Sequence, residues 1–373
     1  MRGALAEIVV VDFSTLLPGP LATLILASVG ATVVKVERPG GGDGMRDYEP
    51  RVGTTSANFA LLNRGKDSRT IDLKSDRGIR EARDLIERAD VLVEQFRPGV
   101  MERLGLGFAE VEALNPRLVY CSITGYGQHG DRAGRAGHDL NYSAEVGLLS
   151  LLDRPALSPA LIADIGAGAY PAVINILLAL ADRQRTGRGR HLDIAMADGL
   201  FTWMYWALGN GLGCGHWPKP GGELVTGGSA RYQVYKTADG RYLAAAPLED
   251  RFWDAFCDAI ELPDSLRDDK RDPNATTQAV AERIASRPAA EWERRFADVD
   301  ACCSLVRDLR EAVSDPSFIA RGIFGGRTGD GKGATLPALP LPVDPGLRAD
   351  RDDVSAPPLG VDHESAGSIG GNS

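Results

Sequence analysis

The chain has 373 residues, 43% hydrophobic and 25% charged, with a net charge of −9 and a pI near 5.2. Its length predicts two domains, or one large domain with an inserted lobe. The acidic balance excludes broad electrostatic binding to nucleic acid or an anionic membrane surface, so an anionic ligand needs local clusters of Arg and Lys. No segment reaches about 18 uninterrupted apolar residues, which predicts no membrane span, and MRGALAEIVVVDFS is too acidic for a signal peptide. Cys121, Cys214, Cys257, Cys302 and Cys303 are odd in number and lack metal-ligand spacing; they suit a reducing, cytoplasmic setting and predict no metal.

Ile8 to Phe13 is a β-branched run and reads as a buried strand. Pro18-Gly19-Pro20 leads into a helical pattern from Leu21 to Val29, and Ala31 to Val36 is a second buried strand. Strand, helix and strand at this spacing make a βαβ unit, hence a parallel, Rossmann-like sheet. The G-x-G-x-x-G fingerprint is missing, so no nicotinamide cofactor is predicted. Instead the second strand runs into Glu37-Arg38-Pro39-Gly40-Gly41-Gly42-Asp43-Gly44-Met45-Arg46. Glycines there let backbone approach a ligand, and open α/β sheets bind ligands at this strand end. A solvated loop is the other reading.

Ser56 to Leu73 reads as a helical turn, a basic turn at Arg64-Gly65-Lys66 and a strand. A helix follows from Gly78 to Arg88, then a buried strand from Val91 to Glu94 that ends in Gln95-Phe96-Arg97. Arg38, Lys66, Arg97 and Arg103 thus follow or flank successive α/β elements. Each alone is a surface charge; together they focus positive charge for a phosphate-bearing ligand. Arg117 to Ile123 is a further strand, ending in TGYGQ.

From Gly137 to Tyr170 come His138, Asp139 and then Asp164 within Leu-Ile-Ala-Asp-Ile-Gly-Ala-Gly. The run Tyr170 to Ala181 is apolar on nearly every side and predicts a buried helix, with Pro171 in its first turn and Gly187 at its end. Asp164 stands just before that N-terminus, where N–H groups and the helix dipole favour an anion. From spacing alone the commoner reading is a helix cap; the other is an ionised carboxylate available as nucleophile or base.

His191 to Met196 is a strand, and Asp198 begins an amphipathic helix with Trp203, Tyr205 and Trp206. Gly209 to Gly228 is rich in Gly and Pro and reads as a linker. Tyr232 to Ala244 is a hairpin around Asp239-Gly240, and helical patterns cover Arg251–Ala259, Thr276–Ser286, Ala289–Ala297 and Ser304–Val313.

In this order, VVVDFSTLLPGP, GATVVKVERPGGGD, LNRGKDSRTIDLKSDRG, ADVLVEQFRPGVMERLGLG, NPRLVYCSITGYGQ, AGHDLNY, LIADIGAG, RTGRGRHLDIAMADG and VYKTADGRYLAAAPLE resemble the family III CoA-transferases, also called the CaiB/BaiF family, which includes α-methylacyl-CoA racemase. The likeness covers roughly residues 5 to 350. It implies an α/β fold, with a Rossmann-like parallel-sheet large domain binding CoA, a smaller α+β domain and an interlocked homodimer. On this frame residues 1–208 form the large domain, 209–228 the linker and 229–322 the small domain; 323–350 return to the large domain and 351–373 form a disordered tail.

The resemblance places Asp164 at the family's active-site aspartate. It places Arg38, Lys66 and Arg97 at positions that contact CoA, with Gln95 and Arg103 as weaker matches. Two chemistries follow. In a transferase, Asp164 attacks an acyl-CoA thioester, and CoA passes through an anhydride and an aspartyl-CoA thioester to a carboxylic acid; the N–H groups of Ile165, Gly166 and Gly168 are candidate oxyanion donors. In a racemase, Asp164 and His138 exchange the α-proton of a 2-methylacyl-CoA from opposite faces, and Glu249 matches a nearby acidic residue. GHDLNY and Glu249 favour the racemase. The stretch 51–66 and the short connection from His138 to Asp164 favour the transferase, which is the primary expectation. A non-catalytic CoA-binding scaffold is disfavoured because Asp164 and its glycines are present.

Overall fold

The structure is a computed structural model that describes residues 3–349 and 354–360. The chain divides into two compact units, one of residues 1–146, 158–200 and 316–373 and one of 147–157 and 201–315.

The first unit opens with β1 (Val9–Asp12), α1 (Pro18–Ser28) and β2 (Thr32–Glu37). A small hairpin, β3 (Arg51–Val52) with β4 (Thr55–Ser56), precedes α2 (Ala57–Asn63) and β5 (Asp67–Thr70). Then come α3 (Asp76–Glu87), β6 (Val91–Glu94), α4 (Val100–Arg103), α5 (Phe108–Leu114) and β7 (Val119–Thr124). After α6 (Asp139–Glu145) and α7 (Tyr170–Thr186), β8 (Arg190–Ala195) completes the six-stranded sheet. The order β5-β2-β1-β6-β7-β8 is parallel throughout, as buried Val/Leu/Ile strands covered on both faces require. Counting only these six, it is the doubly wound Rossmann order, whose direction reverses between β1 and β6.

That reversal is tightly packed. Gly19 opens α1, and a Cβ there would lie 2.2 Å from the Ser14 Cβ and 2.6 Å from the Gln95 Oε1. Only glycine fits. Gln95 Oε1 accepts the Gly19 N–H at 2.7 Å, capping α1 from the turn after β6.

Residues 354–360, expected within a disordered tail, pack instead on this unit. Ala356 N–H donates to the Gly329 carbonyl at 3.0 Å, Gly65 N–H to the Ser355 carbonyl at 3.2 Å, and Arg46 to the Pro357 carbonyl at 3.1 Å. The expectation for 351–353 and 361–373 lies outside the described residues.

The second unit holds α9 (Tyr205–Cys214), which follows α8 (Met196–Trp203), and a three-stranded antiparallel sheet. Its strands are β9 (Gln233–Lys236), β10 (Tyr242–Ala245) and β11 (Cys303–Leu305), with helices α10 (Asp250–Ala259), α11 (Pro273–Ala285), α12 (Ala289–Phe296) and α13 (Leu309–Val313). Trp253, Phe256 and Trp292 centre its core, and both indole N–H groups reach carbonyls, Arg267 and Ile284, at 2.8 Å. Two expectations change. The supposed linker begins inside α9, where Gly211 faces the Trp217 ring, and Ser304 lies in a strand rather than a helix.

Candidate active site

A cavity of about 470 Å³ lies in the first unit where the strand order reverses. The β1–α1 loop (Thr15 to Pro18), the turn after β6 (Gln95 to Pro98), the end of β7, and Arg135 to His138, Asn141, Tyr142 and Asp164 line it. Asp164 and His138, 26 positions apart in sequence, thus line one space.

Asp164 does not act as a helix cap. It belongs to a π-helical segment, Ala163–Ala169, continuous with α7, and π turns inside helices recur at functional sites. The widened coil precedes Pro171, which has no N–H to donate and would crowd the carbonyl of an ordinary preceding turn. The cap comes from elsewhere: Asp139, buried at the start of α6, accepts the Ala163 N–H at 2.7 Å and the Asp164 N–H at 3.0 Å through Oδ2. Gly168 packs against Met196 and Pro18, where a Cβ would sit 3.1–3.2 Å from their atoms.

Burial, and then the negative Asp139 beside it, push the Asp164 carboxyl up to about 6, while His138 pulls the other way. Asp164 is therefore largely ionised at neutral pH yet accepts a proton readily, the condition for general acid–base work. Tyr142 donates to the Gly137 carbonyl at 2.6 Å, and His138 N–H donates to Asn141 Oδ1 at 3.0 Å; together they fix the backbone carrying the exposed imidazole.

Arg97 and Gln95 line the same cavity, although Gln95 commits its carbonyl to Gly19. Arg38 lies beside a second cavity of about 520 Å³, walled by Phe13, Val36, Ile71, Leu73 and Phe96, and its Nε donates to the Gly42 carbonyl at 3.0 Å. Thr15, Leu16 and Phe96 line both cavities and link them. Leu16 has φ of 62°, strained for a side chain, and Asp43 Oδ1 holds its N–H at 3.1 Å.

Six expected site residues stand in settings other than those read from the sequence. Lys66 is fully buried, and its ammonium donates to Asp12 Oδ2 at 3.2 Å and to the Pro20 carbonyl and Asn63 Oδ1 at 2.9 Å, so its three donors are spent inside the protein. Arg103, exposed on α4, lines neither cavity. The Ile165 N–H already donates to the Leu161 carbonyl at 3.0 Å, and Gly166 and Gly168 lie within the π-helical segment, which leaves these amides a helical role rather than an oxyanion one. Glu249 belongs to the second unit, where it is exposed just before α10. Sequence reading missed Asp139 as the cap and Leu16 as the strained link; only the adjacency of Asp139 to His138 hinted at the first. Among the described residues no cluster of His, Cys, Asp or Glu is arranged to hold a metal ion.

A parallel Rossmann sheet with a carboxylate at its switch point defines an α/β enzyme class. The CoA-transferase family III profile matches residues 5–363, and the chain belongs to that family of enzymes. It is 36% identical to human α-methylacyl-CoA racemase over 86% of this chain and 82% of the relative. It is 34% identical to an acetyl-CoA:oxalate CoA-transferase of Acetobacter aceti over 70% and 68%. Among solved structures, a CaiB/BaiF family protein from Brucella suis superposes with a TM-score of 0.79 at 29% identity, covering 96% of this chain and 97% of that one.

The raised Asp164 carboxyl sets a pH expectation. Activity that needs ionised Asp164 falls tenfold per pH unit below about 6. Asp139→Asn keeps an oxygen for the two N–H groups and removes the repelling charge, so the acid limb of kcat/KM shifts to lower pH. A limb that stays in place removes Asp139 as a cause.

Proposed function

We propose that the protein is an acyl-CoA-processing enzyme that moves the α-proton of a 2-methylacyl-CoA thioester, with Asp164 and His138 as the two acid/base groups. The observation that carries this reading is their sharing of one cavity, with Asp164 poised near neutrality by burial and by Asp139. One group removes the α-proton, leaving a thioester enolate, and the other returns a proton to the opposite face. Arg97 in this cavity and Arg38 in the linked one supply cationic donors for CoA phosphates. The reading is also supported by the racemase relative at 36% identity, while a succinate–glutarate CoA-transferase of Agrobacterium fabrum, 31% identical, covers 91% of this chain against the racemase's 86%.

CoA transfer to a small carboxylic acid is the second reading. It is favoured by the transferase relatives and by a half-buried Asp164 carboxylate open to the cavity. Incubation with a 2-methylacyl-CoA in heavy water separates the two. Deuterium at the α-carbon without a covalent adduct, abolished in His138→Ala, supports proton transfer. A CoA or acyl adduct on Asp164 without exchange, with activity retained in His138→Ala, replaces it with CoA transfer.

A second copy of the chain covers the apolar Ile174, Leu177 and Leu178 exposed on α7 in this reading, as the interlocked homodimer of the family implies. A solution mass of 39.8 kDa by light scattering, rather than twice that, counts against it. The five free cysteines fit a cytoplasmic setting; loss of these free thiols on recovery from the native cell argues otherwise.

A further inference from the structure

β6 ends on Glu94, a buried carboxylate directly beneath the turn that lines the Asp164 cavity. Glu94 Oε2 accepts the Phe96 N–H at 2.8 Å. Ser122 stands opposite it on β7, and its hydroxyl favours the ionised form of the carboxyl. Ser122 Oγ in turn meets His191 Nε2 on β8 at 2.9 Å. The imidazole is held by stacking on Phe108, with centroids 5.3 Å apart, and by the edge of Tyr120 at 5.1 Å. Three strands thus place Glu94, Ser122 and His191 side by side in a polar ladder that ends on a backbone amide of the cavity wall.

The ladder has two proton arrangements, because a hydroxyl has a single proton to give. With Glu94 ionised, Ser122 donates to it and accepts the His191 Nε2 proton, and the Phe96 N–H has a charged acceptor. With Glu94 protonated, its own hydroxyl can donate to Ser122, Ser122 then donates to His191, and the Phe96 amide loses the charge-assisted bond, the stronger kind. The groups facing Glu94 are Tyr120, Cys121 and Ser122 on β7, His191 and Asp193 on β8, and Glu102 on α4. Burial, with smaller contributions from Glu102 and Asp193, pushes Glu94 up to about 7 against the pull of Ser122 and Phe96.

We propose that Glu94 is a positioning residue for the reaction at Asp164: in its ionised form, tied to Ser122 and His191, it fixes the Gln95–Arg97 turn against the cavity and so sets acyl-CoA binding. This rests on the acyl-CoA reading above. Gln95 caps α1, Phe96 lines both cavities and Arg97 lines the Asp164 cavity, so loosening the Phe96 amide disturbs all three at once.

Steady-state kinetics between pH 5 and 9 test it. In the wild type, KM for the acyl-CoA rises as pH falls through about 7, separately from the kcat limb near 6 that belongs to Asp164. Glu94→Gln keeps an acceptor that does not titrate; its KM becomes independent of pH across this range while the kcat limb stays. Glu94→Ala has a pH-independent KM about tenfold above the wild-type value at pH 9, the loss of one good hydrogen bond. A Glu94→Gln enzyme with the wild-type pH dependence of KM, or a Glu94→Ala enzyme with unchanged KM, overturns the assignment. If the wild type turns over no thioester, the acyl-CoA reading fails, and the ladder is read from hydrogen exchange at the Phe96 amide corrected for intrinsic rate. Protection that weakens below pH 7 in the wild type and is constant in Glu94→Gln supports the ladder; identical profiles overturn it.

Discussion

Asp164→Asn lowers kcat/KM by about 10²- to 10⁴-fold, the usual contribution of a positioned acid/base group, while the fold stays intact. The carboxamide is nearly isosteric, and the N-terminus of the π-helical segment is capped by Asp139 rather than by Asp164 itself, so both helical N–H bonds survive. The stability change has a definite sign. With its carboxyl raised from the ordinary 3.8 to about 6, Asp164 binds a proton more tightly in the folded protein than in the unfolded chain. Its contribution to stability is fully present below 3.8 and is lost as pH rises to about 6. A neutral Asn escapes that loss, so the variant melts at or above the wild-type temperature at pH 8, and the difference shrinks toward pH 4. A variant that is both inactive and markedly less stable at pH 8 would show that Asp164 is a structural cap after all. Stability gained where activity is lost is the pattern expected of a functional group.

The parallel sheet was legible because its evidence is local. Val9 to Asp12, Thr32 to Glu37, Val91 to Glu94 and Val119 to Thr124 are short runs rich in Val, Leu or Ile, separated by helical patterns, and a sheet buried on both faces leaves that mark. The hairpin around Asp239-Gly240 was legible for the same reason. Asp164 and His138 were legible as candidates through the motifs around them, and the fold brings both to one cavity.

What stayed hidden depends on partners far away in sequence. LIADIGAGAYP reads as a loop before a helix, because two glycines and a proline interrupt any regular pattern. It folds as a π-helical segment because Asp139 supplies the first amides with an acceptor from 24 and 25 positions upstream. Lys66 reads as an exposed phosphate ligand, since a lysine after a glycine turn normally is one; the Asp12 carboxylate that buries it lies 54 positions away. Cys303 to Leu305 is too short to show a period of two, and it becomes a strand only because β10 offers an open edge. The Gly- and Pro-rich stretch from 209 misleads in the opposite direction, because glycine in α9 lets the Trp217 ring approach the helix backbone.

The buried charges behind the β1–α1 loop yield the other large effect, in which stability and activity separate. Asp12 and Lys66 form an ion pair with both side chains fully buried, and Lys35 pairs with Asp43 at 2.9 Å, also fully buried. Burial brings the Lys66 ammonium down to about 8 despite Asp12, so holding this charge in the core is unfavourable on balance. Asp12→Leu leaves that ammonium without its counter-charge and strands the Ser14 hydroxyl, which donates to Asp12, while the Thr23 hydroxyl keeps the Gly19 carbonyl at 3.1 Å. The expected loss is about 3–5 kcal/mol, read as a lowered urea midpoint. Adding Lys66→Met removes the stranded charge, and replacing both partners of a buried pair with apolar residues is often neutral, so the double variant recovers most of the midpoint. Activity does not recover with it. Asp12 also accepts the Ser14 N–H at 2.9 Å, while Lys35 holds the Ser14 carbonyl at 2.8 Å. Ser14 in turn leads into Thr15 and the strained Leu16, which line both cavities. With one of these two anchors gone, the loop relaxes and KM for the acyl-CoA stays raised in the stable double variant. Recovery of stability and KM together would mean that the pair serves only the core; recovery of stability alone identifies it as the anchor of the loop that links the two cavities.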